Sequence, residues 1–337
     1  MKPFAIAFAA ALLAATLAAG PTMAMSQQTA DVEAQIRALG KRWDGEVNQK
    51  SKQLYMPLLA KVPRKDIAVT KDLAYGADAQ QKLDIYVRGT TGRGRPVVVY
   101  AHGGGLVRGD KNEPGTDGLI YSNVPVYFAR HGMVGVNMNY RLVPNTTYPG
   151  AGADVAGAVT WLRTNIAKYG GDPNAIFVLG TSGGGTALAT YLYEPKVQGA
   201  NGPEIAGAIL LSGVIELDKQ GPRERDTRGY YGDDKSIWAS LDPYNKIDSY
   251  TGKRVPTFII NAELDPTEIE LAGGMRHFAK LCERDKACPR YYQAQNMNHI
   301  TTSLSLGTDD DSLGAELRDF VRRTMAVHVA PKTAQKM

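Results

Sequence analysis

Ser182 stands at the centre of Gly180-Thr181-Ser182-Gly183-Gly184, directly after the apolar run Ala175-Ile176-Phe177-Val178-Leu179. A serine hydroxyl is a weak nucleophile unless it is projected from the fold and given a base. A strand, a sharp turn and a helix beginning at the serine do the projecting, and flanking glycines let neighbouring backbone pass close. The pentapeptide alone says little in a chain with 36 glycines. Its strand context, and the block His102-Gly103-Gly104-Gly105 some eighty residues upstream, point to acyl-transfer chemistry.

Such chemistry needs a nucleophile, a base, an acid that orients the base, and donors for the developing oxyanion. Five histidines are available for the base. His102 opens the glycine block, His131 closes a helix where a cation complements the dipole, and His277 reads as a helix-surface residue. His328 is in a terminal tail. His299, in the loop after a late strand, is the expected base. The acid follows the nucleophile and precedes the histidine in this arrangement. Asp265, after the strand at 256–261 and before Pro266, fits best, ahead of Glu263 and Glu268. The same aspartate also has the spacing of a helix N-cap, with Glu268 completing a capping box. Backbone N–H groups of Gly104, Gly105 and Gly183 are the expected oxyanion donors. The glycine block lacks both the G-x-x-x-x-G-K-[ST] and the G-x-G-x-x-G patterns, which disfavours a nucleotide-phosphate loop.

These residues need a scaffold, and strand and helix patterns alternate through most of the chain. Strands are expected at 67–69, 82–87, 96–101, 133–137, 175–179, 206–211, 256–261 and 291–294, several of them continuous Val/Ile/Leu runs that suit a parallel sheet covered on both faces. Helices are expected at 124–131, 153–169, 182–193, 268–284 and 313–324. That alternation predicts a doubly wound α/β fold in one domain at 66–325, preceded by a helical extension at 25–65. Segment 213–254 breaks the alternation and is a candidate cap over the site. Its tyrosines, Tyr230, Tyr231, Tyr244 and Tyr250, either stack on an aromatic substrate group or pack within the cap. Residues 326–337 read as a tail.

The chain has 337 residues, 43% hydrophobic and 22% charged, with a net charge of +5. Its Lys and Arg are scattered, which argues against nucleic-acid binding. Residues 1–24 have the charged start, apolar stretch and small-residue end of a signal peptide, so an exported protein, periplasmic or secreted, is expected. An uncleaved membrane anchor is the competing reading of those residues. Cys282 and Cys288 would close a local disulfide in an oxidising compartment, or remain buried thiols.

The ordered motifs resemble esterases of the α/β-hydrolase superfamily, the group of hormone-sensitive-lipase-like and feruloyl-esterase-like bacterial carboxylesterases. The matching residues are Leu83-Asp84-Ile85-Tyr86, the run from Val97 through the glycine block to Lys111, Asn139-Tyr140-Arg141-Leu142-Val143-Pro144, Tyr148-Pro149, Asp154, Gly171-Asp172-Pro173, the Ser182 turn, Asp265-Pro266 and His299. Asn145 stands where many relatives carry an acid, and the helix after Asp265 lacks a second aspartate common in lipase-like members. The resemblance implies an α/β-hydrolase fold, a mostly parallel eight-stranded sheet with helices on both faces and a small cap. It also implies a Ser182-Asp265-His299 triad, an oxyanion hole at Gly104, Gly105 and Gly183, and a serine carboxylesterase acting on small to medium esters without metal or organic cofactor. An arylformamidase-like C–N hydrolase, suggested by Gly109-Asp110-Lys111, and a catalytically silent binding protein on the same fold are the rivals.

Overall fold

The computed structural model describes residues 25–89, 92–216 and 224–329. The expected leader at 1–24 and the end of the tail lie outside the described residues. Two helices come first, α1 (Gln27–Ala38) and α2 (Gly45–Leu59). Ser26 caps α1 by accepting from Thr29 N, and Asp44 caps α2 by accepting from Val47 N.

All eight expected strands form: β1 (Ile67–Ala74), β2 (Lys82–Arg88), β3 (Arg95–Ala101), β4 (Val134–Met138), β5 (Gly171–Thr181), β6 (Gly207–Leu211), β7 (Thr257–Ala262) and β8 (Arg290–Ala294). They make one sheet in the order β1-β2-β4-β3-β5-β6-β7-β8. The first two pair antiparallel, and every pairing from β4 through β8 is parallel. The helices between and after them are α3 (Asn123–Arg130), α4 (Gly150–Asn165), α5 (Gly183–Tyr193), α6 (Glu224–Tyr231), α7 (Trp238–Leu241), α8 (Pro243–Ser249), α9 (Thr267–Ile269), α10 (Arg276–Asp285), α11 (Thr301–Leu304) and α12 (Ser312–Val329).

The apolar strands divide their side chains between two cores. Val97, Val99, Ile176, Val178, Ala208 and Leu210 face one, whereas Val98, Tyr100, Phe177, Leu179, Ile209 and Leu211 face the other. Helices α4 and α5 cover the first face and α3 and α12 the second. Each fully buried aliphatic side chain contributes about 1.5–3 kcal/mol, so a sheet apolar on both faces holds only when both are covered.

Three expectations change here. The helix expected at 268–284 is interrupted by a π-helical turn, Glu270–Met275. Gly274 explains the place of the turn: a Cβ there would sit 1.6 Å from Asn261 Oδ1 on β7. The helical extension is no appendage, because Val32, Ile36, Tyr55, Leu58 and Leu59 belong to the second core. The described part of segment 213–254 includes α6–α8 and packs against the first core, into which Tyr230, Tyr231, Trp238, Ile247 and Tyr250 are buried. Cys282 and Cys288 are joined by a disulfide at the end of α10. Among the described residues no helix is long and apolar enough to cross a membrane.

Candidate active site

The parallel strands end on one side of the sheet, and the loops leaving them carry the candidate residues. Ser182 follows β5 with φ 52° and ψ −117°, outside the helix that begins at Gly183. Positive φ is costly for a residue with a Cβ, and this geometry is that of a strained strand-to-helix turn. Ser182 N donates to Leu211 O at 3.1 Å, tying the turn to the end of β6. A Cβ on Gly184 would lie 2.2 Å from Ala101 O, so only glycine lets α5 start this close to β3.

The loop after β3 bends back at Gly104 (φ 119°), where a Cβ would meet Arg108 O at 1.9 Å. This bend brings the loop against the start of α5. A Cβ built on Gly183 would lie 2.8 Å from Gly105 N and 2.9 Å from Leu106 N. The Gly105 amide, one of those expected to bind an oxyanion, therefore lies beside Gly183 and the Ser182 turn.

Asp265 is fully buried after β7, and its Oδ1 lies 2.9 Å from His299 Nδ1. Its Oδ2 accepts from Ser212 Oγ at 2.7 Å and from Ala262 N at 2.9 Å. The carboxylate makes no helix cap, since Pro266 stands at the N-cap of α9 without a side-chain bond. Its capping expectation is thus overturned: the buried partners claim both oxygens. Glu263 instead accepts from Asn296 N at 2.7 Å, and Glu268 is exposed. His299 is buried, with its Nε2 unpartnered, and shares a cavity of about 280 Å³ with Ser182, Gly103 and Gly104. Catalytic hydrogen bonds are often open before substrate binds, so an unpartnered Nε2 on a histidine that shares the cavity of Ser182 suits a base.

The wall of this cavity comes from an unexpected quarter. Trp43, Asn48 and Lys52 line it from the α1–α2 turn and α2, and Asp110, Glu113 and Pro114 from the loop after the glycine block. No described residue of 213–254 does so. The tyrosines of that segment serve packing: Tyr230 Oη accepts from Ala151 N at 3.0 Å, and Tyr231 is buried.

Two anchoring networks escaped the sequence reading. Asp84, fully buried on β2, pairs with Lys111 Nζ at 2.8 Å, and Lys111 also reaches Asp72 at 2.9 Å. Burial works against the Lys111 ammonium, but its bonds to Asp84 and Asp72 outweigh this and raise its pKa. The pair pins the loop that follows the glycine block. One signal was available: a carboxylate inside the apolar stretch Leu83-Asp84-Ile85 demands a partner. The second network answers the absence of an acid at Asn145. Arg141 pairs with buried Asp154 at 2.6 Å, and Gln81 donates to the same carboxylate at 2.7 Å.

The other histidines are occupied elsewhere. His277 is fully buried rather than on the surface, with Tyr193 Oη 3.0 Å from Nε2. Burial, and then the charge of Arg284, push its pKa down to about 3. The segment 275–278 looked surface-like because Arg276 and exposed Met275 flank it, but the helix turns His277 inward. His131 caps α3, yet burial lowers its pKa, so the expected cationic complement to the dipole is weakened. His102 stacks on Tyr140 at 4.7 Å, and burial lowers its pKa as well. His328 lies near the end of α12.

Comparison with known proteins agrees with this fold. The family model described as BD-FAE matches residues 83–206. Esterase B from Lactobacillus rhamnosis superposes with a TM-score of 0.65 at 19% identity, covering 90% of this chain and 98% of that one. The chain has the α/β-hydrolase fold. A bacterial heroin esterase shares the fold equally well, with a TM-score of 0.65 at 19% identity over 87% of this chain and 97% of the other. In sequence it is similar to esterase LipQ of Mycobacterium tuberculosis, 28% identical over 75% of this chain and 62% of the relative. It is also similar to the phenmedipham hydrolase of Pseudarthrobacter oxydans, 38% identical over 34% of this chain and 23% of the relative. The chain thus spans less than two thirds of the length of these relatives.

Proposed function

We propose that the protein is a serine carboxylesterase that hydrolyses small to medium carboxylic esters through an acyl-enzyme. The observation that carries this reading is Ser182 at positive φ in one cavity with the Asp265-bonded His299. His299 Nε2 takes the Ser182 proton as Oγ attacks the ester carbonyl. The amides of Gly104, Gly105 and Gly183 receive the negative charge of the tetrahedral oxygen. Asp265 holds the imidazole with Nδ1 protonated and stabilises the imidazolium that forms. The imidazolium then protonates the departing alcohol, and water releases the acid by the same route. No step calls on a cofactor. The cavity of about 280 Å³ suits a short acyl or alcohol group. Relatives named as esterases support ester over formamide chemistry.

Turnover of p-nitrophenyl acetate, butyrate, octanoate and palmitate, wild type beside Ser182→Ala, tests the reading. Serine-dependent hydrolysis falling with chain length is expected; a folded wild type inert on all four would overturn it.

The reading extends to location. The leader-like residues 1–24 and the disulfide Cys282–Cys288 support an exported protein, periplasmic or secreted, free of the membrane once the leader is removed. Intact mass of protein recovered from medium and periplasm tests this. Protein retained in the cytosol at full length would contradict it.

A further inference from the structure

The loop that carries His299 is held from two sides, and one of them lies outside the sheet. On the strand side, Glu263 accepts from Asn296 N at 2.7 Å and Leu264 N donates to Met297 O at 2.9 Å. On the other side, Asn296 bonds to α1 and Asn298 to α2. Asn296 Nδ2 donates to Glu33 Oε2 at 3.0 Å from α1. Asn298 Nδ2 donates to Ser51 Oγ at 2.8 Å on α2, and both residues are fully buried. Ser51 Oγ in turn donates to Val47 O at 2.7 Å, which leaves it oriented to accept. Trp43, in the turn between the two helices, places its ring 4.4 Å from the His299 imidazole at an interplanar angle of 48°.

Asp265 holds His299 only through Nδ1, a single hydrogen bond about which the ring can swing. An imidazole so held needs a second contact to fix where Nε2 points. Trp43 supplies it, and Ser51 fixes the backbone from which the ring extends.

We infer that the α1–α2 pair is part of the machinery of the site, with Trp43 and Ser51 as positioning residues that set the direction of His299 Nε2. The inference rests on the reading of His299 as the base. A ring misplaced by about 1 Å costs on the order of 100-fold in rate. The cost falls mainly on turnover, because Trp43, although it also lines the cavity, packs on His299, and Ser51 bonds to the loop. The contact is ring against ring, so phenylalanine, which keeps an aromatic face, is the conservative replacement.

The test compares Trp43→Ala, Trp43→Phe and Ser51→Ala with wild type in separate measurements of kcat and KM on p-nitrophenyl acetate. Trp43→Ala and Ser51→Ala are expected to lower kcat about 10–100-fold with KM changed less than about threefold, and Trp43→Phe to stay within about threefold of wild type. A kcat within twofold of wild type in folded Trp43→Ala and Ser51→Ala would overturn the inference. So would a loss confined to KM, or a folded Trp43→Phe as impaired as the alanine variant. Carbethoxylation of His299 by diethyl pyrocarbonate, followed by peptide mass, reads the contact without any ester. At least fivefold faster modification in Trp43→Ala is expected, and an unchanged rate would overturn the contact. An inert wild type would overturn the esterase reading alone, while the modification rate would still decide the clamp.

Discussion

Asp265 divides its carboxylate between two tasks: Oδ1 lies 2.9 Å from His299 Nδ1, and Oδ2 is held by Ser212 Oγ and Ala262 N. The second set of bonds fixes the plane of the carboxylate and keeps the first oxygen aimed at the ring. Orientation of this kind cannot come from the aspartate alone, since its terminal torsion is broad.

Asp265→Asn is therefore expected to lower kcat by roughly 10³–10⁴, because an amide can present its NH₂ to Nδ1 and favour the wrong tautomer. Glu268→Gln, on an exposed helix turn, should stay within about twofold. Steady-state kinetics of the two variants decide between the acids. A reversal of these effects would remove Asp265 from its role.

Ser182→Ala should abolish hydrolysis with little change in melting temperature. Ser182→Gly goes further. It removes the Cβ from a residue at φ 52°, relieving roughly 1–2 kcal/mol of strain. The glycine variant is expected to melt about 2–4 °C above the alanine variant in calorimetry. Equal melting temperatures would show that the turn holds no strain.

Lys111 and Asp84 make a buried pair beneath the glycine loop. Lys111→Met leaves Asp84 charged without its ammonium partner and is expected to cost about 3–5 kcal/mol in chemical denaturation. Asp84→Asn combined with Lys111→Met should recover part of that loss, since no charge is then stranded. A double variant less stable than Lys111→Met would mean that packing rather than charge is at stake.

His277 makes stability depend on pH. Its folded pKa of about 3 lies below the ordinary value of 6.5, so the unfolded chain binds the proton more readily. This contribution is fully present above pH 6.5 and is lost as the pH falls toward 3. Between pH 7 and pH 4 the loss amounts to roughly 3 kcal/mol. His277→Phe should flatten that part of the denaturation profile relative to wild type. Parallel profiles for the two proteins would count against it.

Much of the fold was legible because each strand carries its own signal. Val97 to Ala101 and Ala175 to Leu179 are too uniformly apolar for anything but strands buried on both faces, and turn residues separate them. The candidate nucleophile was equally local, since Gly180 to Gly184 encode a strand-to-helix turn in five consecutive residues. Chain order then narrowed the acid and the base to Asp265 and His299.

What the sequence could not settle by itself depended on where separate segments meet. His277 looks like a surface residue in the string of polar neighbours and becomes buried only through the rotation of α10 against Tyr193. Segment 213–254 has the composition of a lid, yet its described part packs into the core, and the wall of the cavity is made by α1 and α2. Local pattern determined the strands, the Ser182 turn and the choice of candidate groups, because backbone preference and periodic burial act over a few residues. The tertiary structure alone decided that Trp43 would stand 4.4 Å from His299, 256 positions away in the chain, because such a contact depends on how helices pack rather than on any segment's own preference.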